Sequence, residues 1–376
     1  MKFNCLALAA FGLEGIVARE LKRMGFDAKG EIGGARFQAN YEEILSANIR
    51  LRCADRVLLI LKEQKALSFD EIFDIVSTVD WKNIIPKNAK INIKAKCVRS
   101  QIMSPRDCQS ITKKAIIKNL QRAYNTNIIL ENGIDFNIDL ALVNDIFRIS
   151  LNTSGEALNK RGYRTFNVEA PIRETLGAAM LEISPWKKIQ HLYDPCCGSG
   201  TFLIEAAYMA LNKAPGLDRQ FDIEKWGVIN KDKIKEIRQD ILNEYKPERE
   251  IYISGSDINS EAINVAKKHI LQAGLENRIN ISNIDLKNIN LESEDGCFIV
   301  NPPYGERLSE KNEVLKLYNE LGRLFLRHKG WSMTVISNDI NFEKHFGRKA
   351  DRKRKVFNGR FECNIYIYYS IQNNRH

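Results

Sequence analysis

Two hydrophobic rhythms alternate along the chain, one with a period near two and one near 3.6. Residues 3–10 read as a strand, and residues 13–24 repeat apolar positions at helical spacing. The Gly33-Gly34 turn leads to a strand over 35–39, a helix over 41–53 and a short strand over 56–61. This β-α-β-α-β run is too small for a catalytic sheet and suits a ferredoxin-like accessory unit over residues 1–65. Lys2 and the brief apolar run after it mimic a secretion signal. The run passes straight into the helical repeat, so it reads as strand then helix.

Residues 66–155 form a second small unit. Ser68-Phe69-Asp70-Glu71 is a capping-box sequence that opens a helix. Ile91, Ile93 and Ala95 alternate with polar residues, as in a half-buried strand. A long helix covers 104–124, and strands 134–142 and 145–151 pair around Val143-Asn144. Residues 156–175 form a linker. From 176 to 376 the elements lengthen, with strands at 189–193, 251–256, 280–283, 298–300 and 331–337. Helices are expected at 201–211, 260–273 and 310–328, and 212–250 is a polar, Lys- and Glu-rich insertion. Asn358-Gly359 between alternating apolar runs signals a final hairpin. The expected class is α/β, a mostly parallel sheet ending in an antiparallel pair, preceded by α+β units.

Composition narrows the function. With 376 residues, 44% hydrophobic and 28% charged, the chain has ample apolar surface to bury, which excludes disorder as its main state. No window approaches the ~18 uncharged apolar residues of a membrane span. A net charge of +10 points to a polyanionic partner, RNA or DNA. Between residues 90 and 122, nine basic residues accompany one acidic residue, Asp107. Lys94, Lys96, Arg99, Arg106, Lys113 and Lys114 are therefore candidates for a phosphate-facing surface. Arg161 and Arg164, around Gly162-Tyr163, are candidates to grip a nucleotide, and Lys355 and Arg360 to hold the flanking backbone. The eight cysteines show no C-x-x-C spacing, so neither a disulfide framework nor a metal site is expected. Reduced cysteines fit a cytoplasmic enzyme. No heptad or long exposed apolar face stands out, so oligomeric state stays open.

Three motifs carry chemistry. In 191–202 a strand ends in Asp194-Pro195, a loop Cys196-Cys197-Gly198-Ser199-Gly200 follows, and a helix begins at Thr201. Glycines there let backbone approach a ligand, although the third glycine of a dinucleotide fingerprint and the lysine of a P-loop are missing. Asp257 ends the next strand, where a carboxylate can take both hydroxyls of a ribose, and Asp285 follows the third strand, where one can accept from an adenine amine. Asn301-Pro302-Pro303-Tyr304 follows the strand at 298–300. The Asn301 side-chain oxygen and the Pro302 carbonyl can both accept from one exocyclic amine. The prolines stiffen the segment, and Tyr304 can stack on a base.

The order D-P-C-C-G-S-G-T, S-D-I-N, N-P-P-Y resembles the class I S-adenosylmethionine-dependent methyltransferases that modify amines. Residues 1–155 resemble the ferredoxin-like and THUMP modules of RNA-modifying enzymes. Matching stretches at 152–156, 161–164 and 170–176 extend the likeness over nearly the whole chain. The nearest likeness is to the N-terminal half of the bifunctional 23S rRNA guanine-N2 methyltransferases and their stand-alone relatives, often labelled N6-adenine DNA methylases. The resemblance implies a Rossmann-like, seven-stranded catalytic domain over 176–376, a THUMP domain over 66–155 and RNA as partner. It implies that Asp194, Pro195, Cys197, Gly198, Ser199, Gly200 and Thr201 surround the methionine and ribose of S-adenosylmethionine. Asp257 then holds the ribose hydroxyls, Ile258 lies against the adenine, Asp285 meets its amine, and Asn301 to Tyr304 hold the target amine. The N-P-P-Y motif alone does not choose between guanine N2, adenine N6 and a glutamine amide, nor between rRNA and tRNA. A catalytically inactive RNA-binding protein is the alternative of another class. His191, His269, His328 and His345 read as structural, and no dedicated base stands out.

Overall fold

In the computed structural model, residues 1–166, 171–303 and 311–372 are described. Fourteen strands fall into two sheets among these residues. The first seven are β1 (Phe3–Leu8), β2 (Lys29–Glu31), β3 (Gly34–Ala39), β4 (Arg56–Lys65), β5 (Lys90–Val98), β6 (Asp135–Val143) and β7 (Ile146–Asn152). The others are β8 (His191–Asp194), β9 (Ile253–Asp257), β10 (Asn280–Asn283), β11 (Gly296–Val300), β12 (Trp331–Ser337), β13 (Arg352–Asn358) and β14 (Phe361–Tyr368).

The first sheet has the order β2-β3-β1-β4-β7-β6-β5. It runs through both N-terminal units without a break, because β4 pairs antiparallel with β7 from Leu58↔Asn152 to Lys65↔Ile146. Strand β4 runs to Lys65, beyond the predicted end at 61, and its polar last residues are carried by this pairing. Across the sheet, Arg36 pairs with Glu31 and Glu63, and Arg148 lies within 3.9 Å of the same two carboxylates. The β6–β7 turn is Asn144-Asp145, one residue later than expected. Both residues have positive φ, the signature of a tight twisted hairpin.

Helix Pro105–Tyr124 packs on β5, with the Cys97 and Cys108 sulfurs 3.8 Å apart. Since Cys97 faces the helix, alternation turns Lys94 and Lys96 to the opposite side of the sheet. Arg106, Lys114, Lys118 and Arg122, spaced by four or eight residues, line the exposed face of the helix. The basic residues expected on a single surface therefore lie on two, one on each side of the sheet. Lys113 is drawn inward to Glu131 at 2.9 Å, and exposed Arg99 sits at positive φ just past β5.

The second sheet has the order β10-β9-β8-β11-β12-β14-β13. Strands β10, β9, β8, β11 and β12 are parallel, and β14 and β13 close the sheet antiparallel. Asn358 pairs with Phe361, so the hairpin turn is Gly359-Arg360, one residue beyond the expected Asn-Gly. Phe298, Val300, Met333 and Val335 form a core on one face with helix Lys311–Arg327. Leu203, Ile204, Ile253 and Ile299 belong to a second core that continues unbroken into the N-terminal units as far as Cys5 and Ile116. The insertion at 212–250 contains helix Lys231–Asn243, which packs on helix Tyr41–Arg50, with Arg50 paired to Glu244.

Arg161 corrects a prediction. It does not face a nucleotide but is buried in the junction between the two halves, 3.2 Å from Glu205. Its remaining donors reach the carbonyls of Leu158 and Arg52, and Tyr163 donates to the same Glu205. Charge along a sequence does not separate an exposed arginine from one buried with a partner.

Candidate functional site

The parallel strands bring three aspartates to one edge. Asp194 ends β8, Asp257 ends β9, and Asp285 follows β10, on neighbouring strands. Asn301 follows β11 on the other side of β8, with Tyr193 of β8 aligned to Phe298 of β11. Strand order reverses between β8 and β11, which opens the crevice where ligands sit in sheets of this kind.

The loop after β8 is built from backbone. Asp194 is 1% exposed, and its Oδ1 accepts from the Cys196 N–H at 3.0 Å. Burial, reinforced by nearby Asp257, pushes its carboxyl well above the usual range, against the pull of that N–H. Asp257 receives the Gly198 N–H on Oδ2 and the Asn259 N–H on Oδ1, each at 2.9 Å, tying the loop to the end of β9. Gly198 has φ +49°, and a Cβ there would project into open space. The loop thus presents bare backbone to the crevice. Pro195, Cys197, Ser199, Gly200 and Thr201 are buried around it. Burial pushes the Cys196 and Cys197 thiols up, so neither is a ready nucleophile.

The other predicted residues take graded positions. Ile258 is 72% exposed beside the loop, and Asn283 donates to the carbonyls of Asp257 and Ile258, holding the crevice wall. Asp285 is half-buried and accepts from the Lys287 N–H. Asn301 is half-buried, Pro302 buried and Pro303 exposed. Tyr304 lies outside the described residues. Lys355 pairs with Glu362 at 2.7 Å, and exposed Arg360 sits over the Phe361 ring.

Arg164 is a second correction. Rather than reaching toward a nucleic acid, it donates to Thr201 Oγ1 at 2.6 Å and to the Ile172 carbonyl, and pairs with buried Glu174 at 3.3 Å. It braces the start of helix Thr201–Ala210. Sequence reasoning also missed Glu174 as its partner. His269 supports the loop from behind: Nε2 accepts from the Phe166 N–H at 3.4 Å, so Nδ1 donates to the Ser199 carbonyl at 3.1 Å. Burial lowers its pKa, in keeping with a neutral ring. The available signal was a histidine in the buried stripe Ile263, Ala266, Ile270 of helix Ser260–Gln272.

The arrangement offers carboxylates for hydroxyl and amine donors on one side of the crevice, and two amine acceptors at Asn301 and Pro302 on the other. Comparison with known proteins supplies the family. Residues 161–367 match the family described as RMKL-like, methyltransferase domain. Residues 4–58 match the RlmL ferredoxin-like domain and 66–152 the THUMP domain. YpsC of Bacillus subtilis strain 168, named provisionally as an RNA methyltransferase, is 37% identical and aligns with 98% of this chain and 96% of its own. The ribosomal RNA large subunit methyltransferase K/L of Shewanella frigidimarina is 33% identical over 97% of this chain. The chain spans about half the length of that relative, 52%. The solved structure of SMU.472, named as a candidate methyltransferase and complexed with SAH, superposes with a TM-score of 0.93 at 38% identity, covering 98% of both chains.

Proposed function

The chain belongs to the RMKL-like methyltransferase family, and from that premise we propose that it transfers a methyl group from S-adenosylmethionine to the N2 amine of a guanine in 23S rRNA. The observation that carries this reading is the position of Asn301-Pro302, one strand from Asp194 across the reversal of strand order. An amine held there lies beside the group held by the aspartates.

The residues fit this cofactor. Each Asp257 oxygen accepts one backbone N–H and retains lone pairs for a ribose hydroxyl. Gly198 leaves backbone open to the ligand. Asp285 would accept from the adenine amine, with Ile258 against the ring, while Asp194 and the loop from Pro195 to Thr201 would enclose the methionine and ribose. The bound cofactor supplies a methyl group made electrophilic by its sulfonium. SAH, present in the related structure, is what S-adenosylmethionine becomes on losing that methyl.

The work of the chain is on the acceptor amine. A guanine N2 is a poor nucleophile because its lone pair is delocalised into the ring. The Asn301 side-chain oxygen and the Pro302 carbonyl would each accept one hydrogen bond from it, favour a pyramidal nitrogen and stabilise the positive charge that develops; after transfer the methylated amine would release one proton to water. Each such contact supplies about 3–4 kcal/mol. The base must leave its stack to reach the edge, where Tyr304 would receive it. In this reading residues 66–155 hold the RNA, 156–175 link, and 176–376 catalyse. The rRNA substrate is supported by the name of the K/L relatives and by the basic helix face.

The test offers the protein unmodified 23S rRNA, tRNA and duplex DNA with methyl-labelled cofactor, and identifies the labelled nucleoside by mass spectrometry. Labelled N2-methylguanosine from 23S rRNA is expected. Labelled N6-methyladenine from DNA would overturn the substrate and keep the roles of Asn301 and Pro302.

A further inference from the structure

The β13–β14 hairpin does not stop at the catalytic edge. The last residue of β12, Ser337, pairs with Asn364 of β14, and three further rungs follow, Val356↔Cys363, Phe357↔Glu362 and Asn358↔Phe361. At ~3.4 Å per residue the tip stands about 10 Å beyond the end of β12, on the side where Asn301 follows β11.

The first unit meets the hairpin at that overhang. Arg354 donates to the Gly12 carbonyl at 3.2 Å, and the Phe11 ring lies edge-on to Phe357 at 5.8 Å. Gly12 has φ +87°, and a Cβ there would fall 2.2 Å from the Lys355 carbonyl oxygen, so only glycine allows this approach. The Glu14 carboxylate accepts from both the Gly12 and Gly33 N–H groups, which ties the loop of Phe11 to the loop of Ile32. Phe11 is nonetheless 53% exposed and Ile32 85% exposed. The hairpin adds half-buried Phe357 and Phe361, with the Arg360 guanidinium 5.0 Å over the Phe361 ring. Residues 352–360 hold five basic residues and no acidic one; Lys353 and Lys355 are paired with Glu343 and Glu362, so the charge at the tip is carried by Arg360.

We propose that Phe11, Ile32 and the hairpin tip with Phe357, Arg360 and Phe361 form one platform for the single-stranded RNA that flanks the target base. This rests on the RNA reading above and names the surface that would deliver the strand. Interleaved aromatic and basic side chains are what unpaired nucleotides need, since every base has an apolar face and every linkage a negative charge. The positive charge selects a polyanion over an apolar protein partner, and continuity with the edge of Asn301 selects RNA near the reacting base.

Affinity of the full chain for a short oligouridylate, read by fluorescence anisotropy, tests the platform without calling on methylation. Phe11→Ala is expected to weaken binding about fivefold or more, and Phe11→Tyr to restore it. Arg360→Ala is expected to lower the salt dependence by about one ion. A 4-thiouridine oligonucleotide should crosslink to peptides containing Phe11 or Phe357. Unchanged affinity in both alanine variants, with crosslinks elsewhere, would overturn the proposal. So would a Phe11→Ala variant that alters only sedimentation, because the patch would then join two copies of the chain. If the oligonucleotide effects appear but no RNA is methylated, the substrate reading fails while the platform stands; methylation with unaffected oligonucleotide binding is the reverse.

Discussion

Seven strands build each sheet, yet the two sheets put them to opposite uses. In the N-terminal sheet, helices cover one face, and the other carries the Arg36, Glu31, Glu63 and Arg148 cluster beside buried Leu6 and Leu58. In the catalytic sheet both faces are packed, and every residue of β11 is buried. Only its edge is left for chemistry, which is why the candidate residues end strands instead of lying along them. The first sheet makes surfaces and the second makes a rim. The first sheet is mostly antiparallel, which can leave a face wet, with one parallel pair, β5 and β6, at its edge; the second is mostly parallel, and such sheets almost always have both faces covered.

Breaking the contact between the halves should have the largest effect. Arg161→Met leaves Glu205 buried without its partner, and urea unfolding should show a loss of about 3–5 kcal/mol. Adding Glu205→Leu should recover much of it; no recovery would mean that the pair is not what joins the halves. At the rim, Asn301→Ala should abolish methyl transfer, a loss of at least about a hundredfold, while cofactor affinity by calorimetry stays within a few-fold. Loss of cofactor binding in that variant would sink the role given to Asn301. On the surface side, Lys114→Gln with Lys118→Gln should weaken RNA binding at all sequences alike and lower its salt slope by about two ions. An unchanged slope would place the RNA on the opposite face, with Lys94 and Lys96.

The smallest effect concerns pH. Burial raises the Asp194 carboxyl above its unfolded value, so the folded state holds the proton more tightly. Its stabilising contribution is full below the unfolded value and is lost as pH climbs through the folded one. Asp194→Asn should therefore flatten the fall in stability between acidic and neutral pH, measured as urea midpoints. An unaltered profile would assign that fall to other buried carboxyls, such as Glu20 and Glu174, which burial also raises.

The rim was far more legible in the sequence than the surfaces. Strand-end aspartates, the glycine loop and Asn301 are each marked by local chemistry: a β-run, a turn and a polar residue in sequence. Their placement on adjacent strands follows once the parallel order is inferred. The β4–β7 pairing has no local mark, because its partners are far apart along the chain and the end of β4, Lys62–Lys65, reads as solvated. Strand β2, three residues at Lys29–Glu31, is too short to show a period. Helix Glu174–Ile183 is hidden by its approach, because Pro171 and the basic connector read as linker. Arg161 and Arg164 have no mark either, because a sequence records the sign of a charge but not the buried carboxylate, Glu205 or Glu174, that it pairs with.

The unbroken N-terminal sheet bears on how such proteins can be rearranged. Residues 1–65 look like a module that could be grafted onto another enzyme. Excision after Lys65, however, would strip seven paired residues of β4 of their partners in β7 and leave two raw sheet edges. A chimera cut there should self-associate through those edges, whereas a cut that keeps β1 to β7 together moves a sheet with its internal seams intact. The unit of exchange is the sheet, although two domain families are written along it.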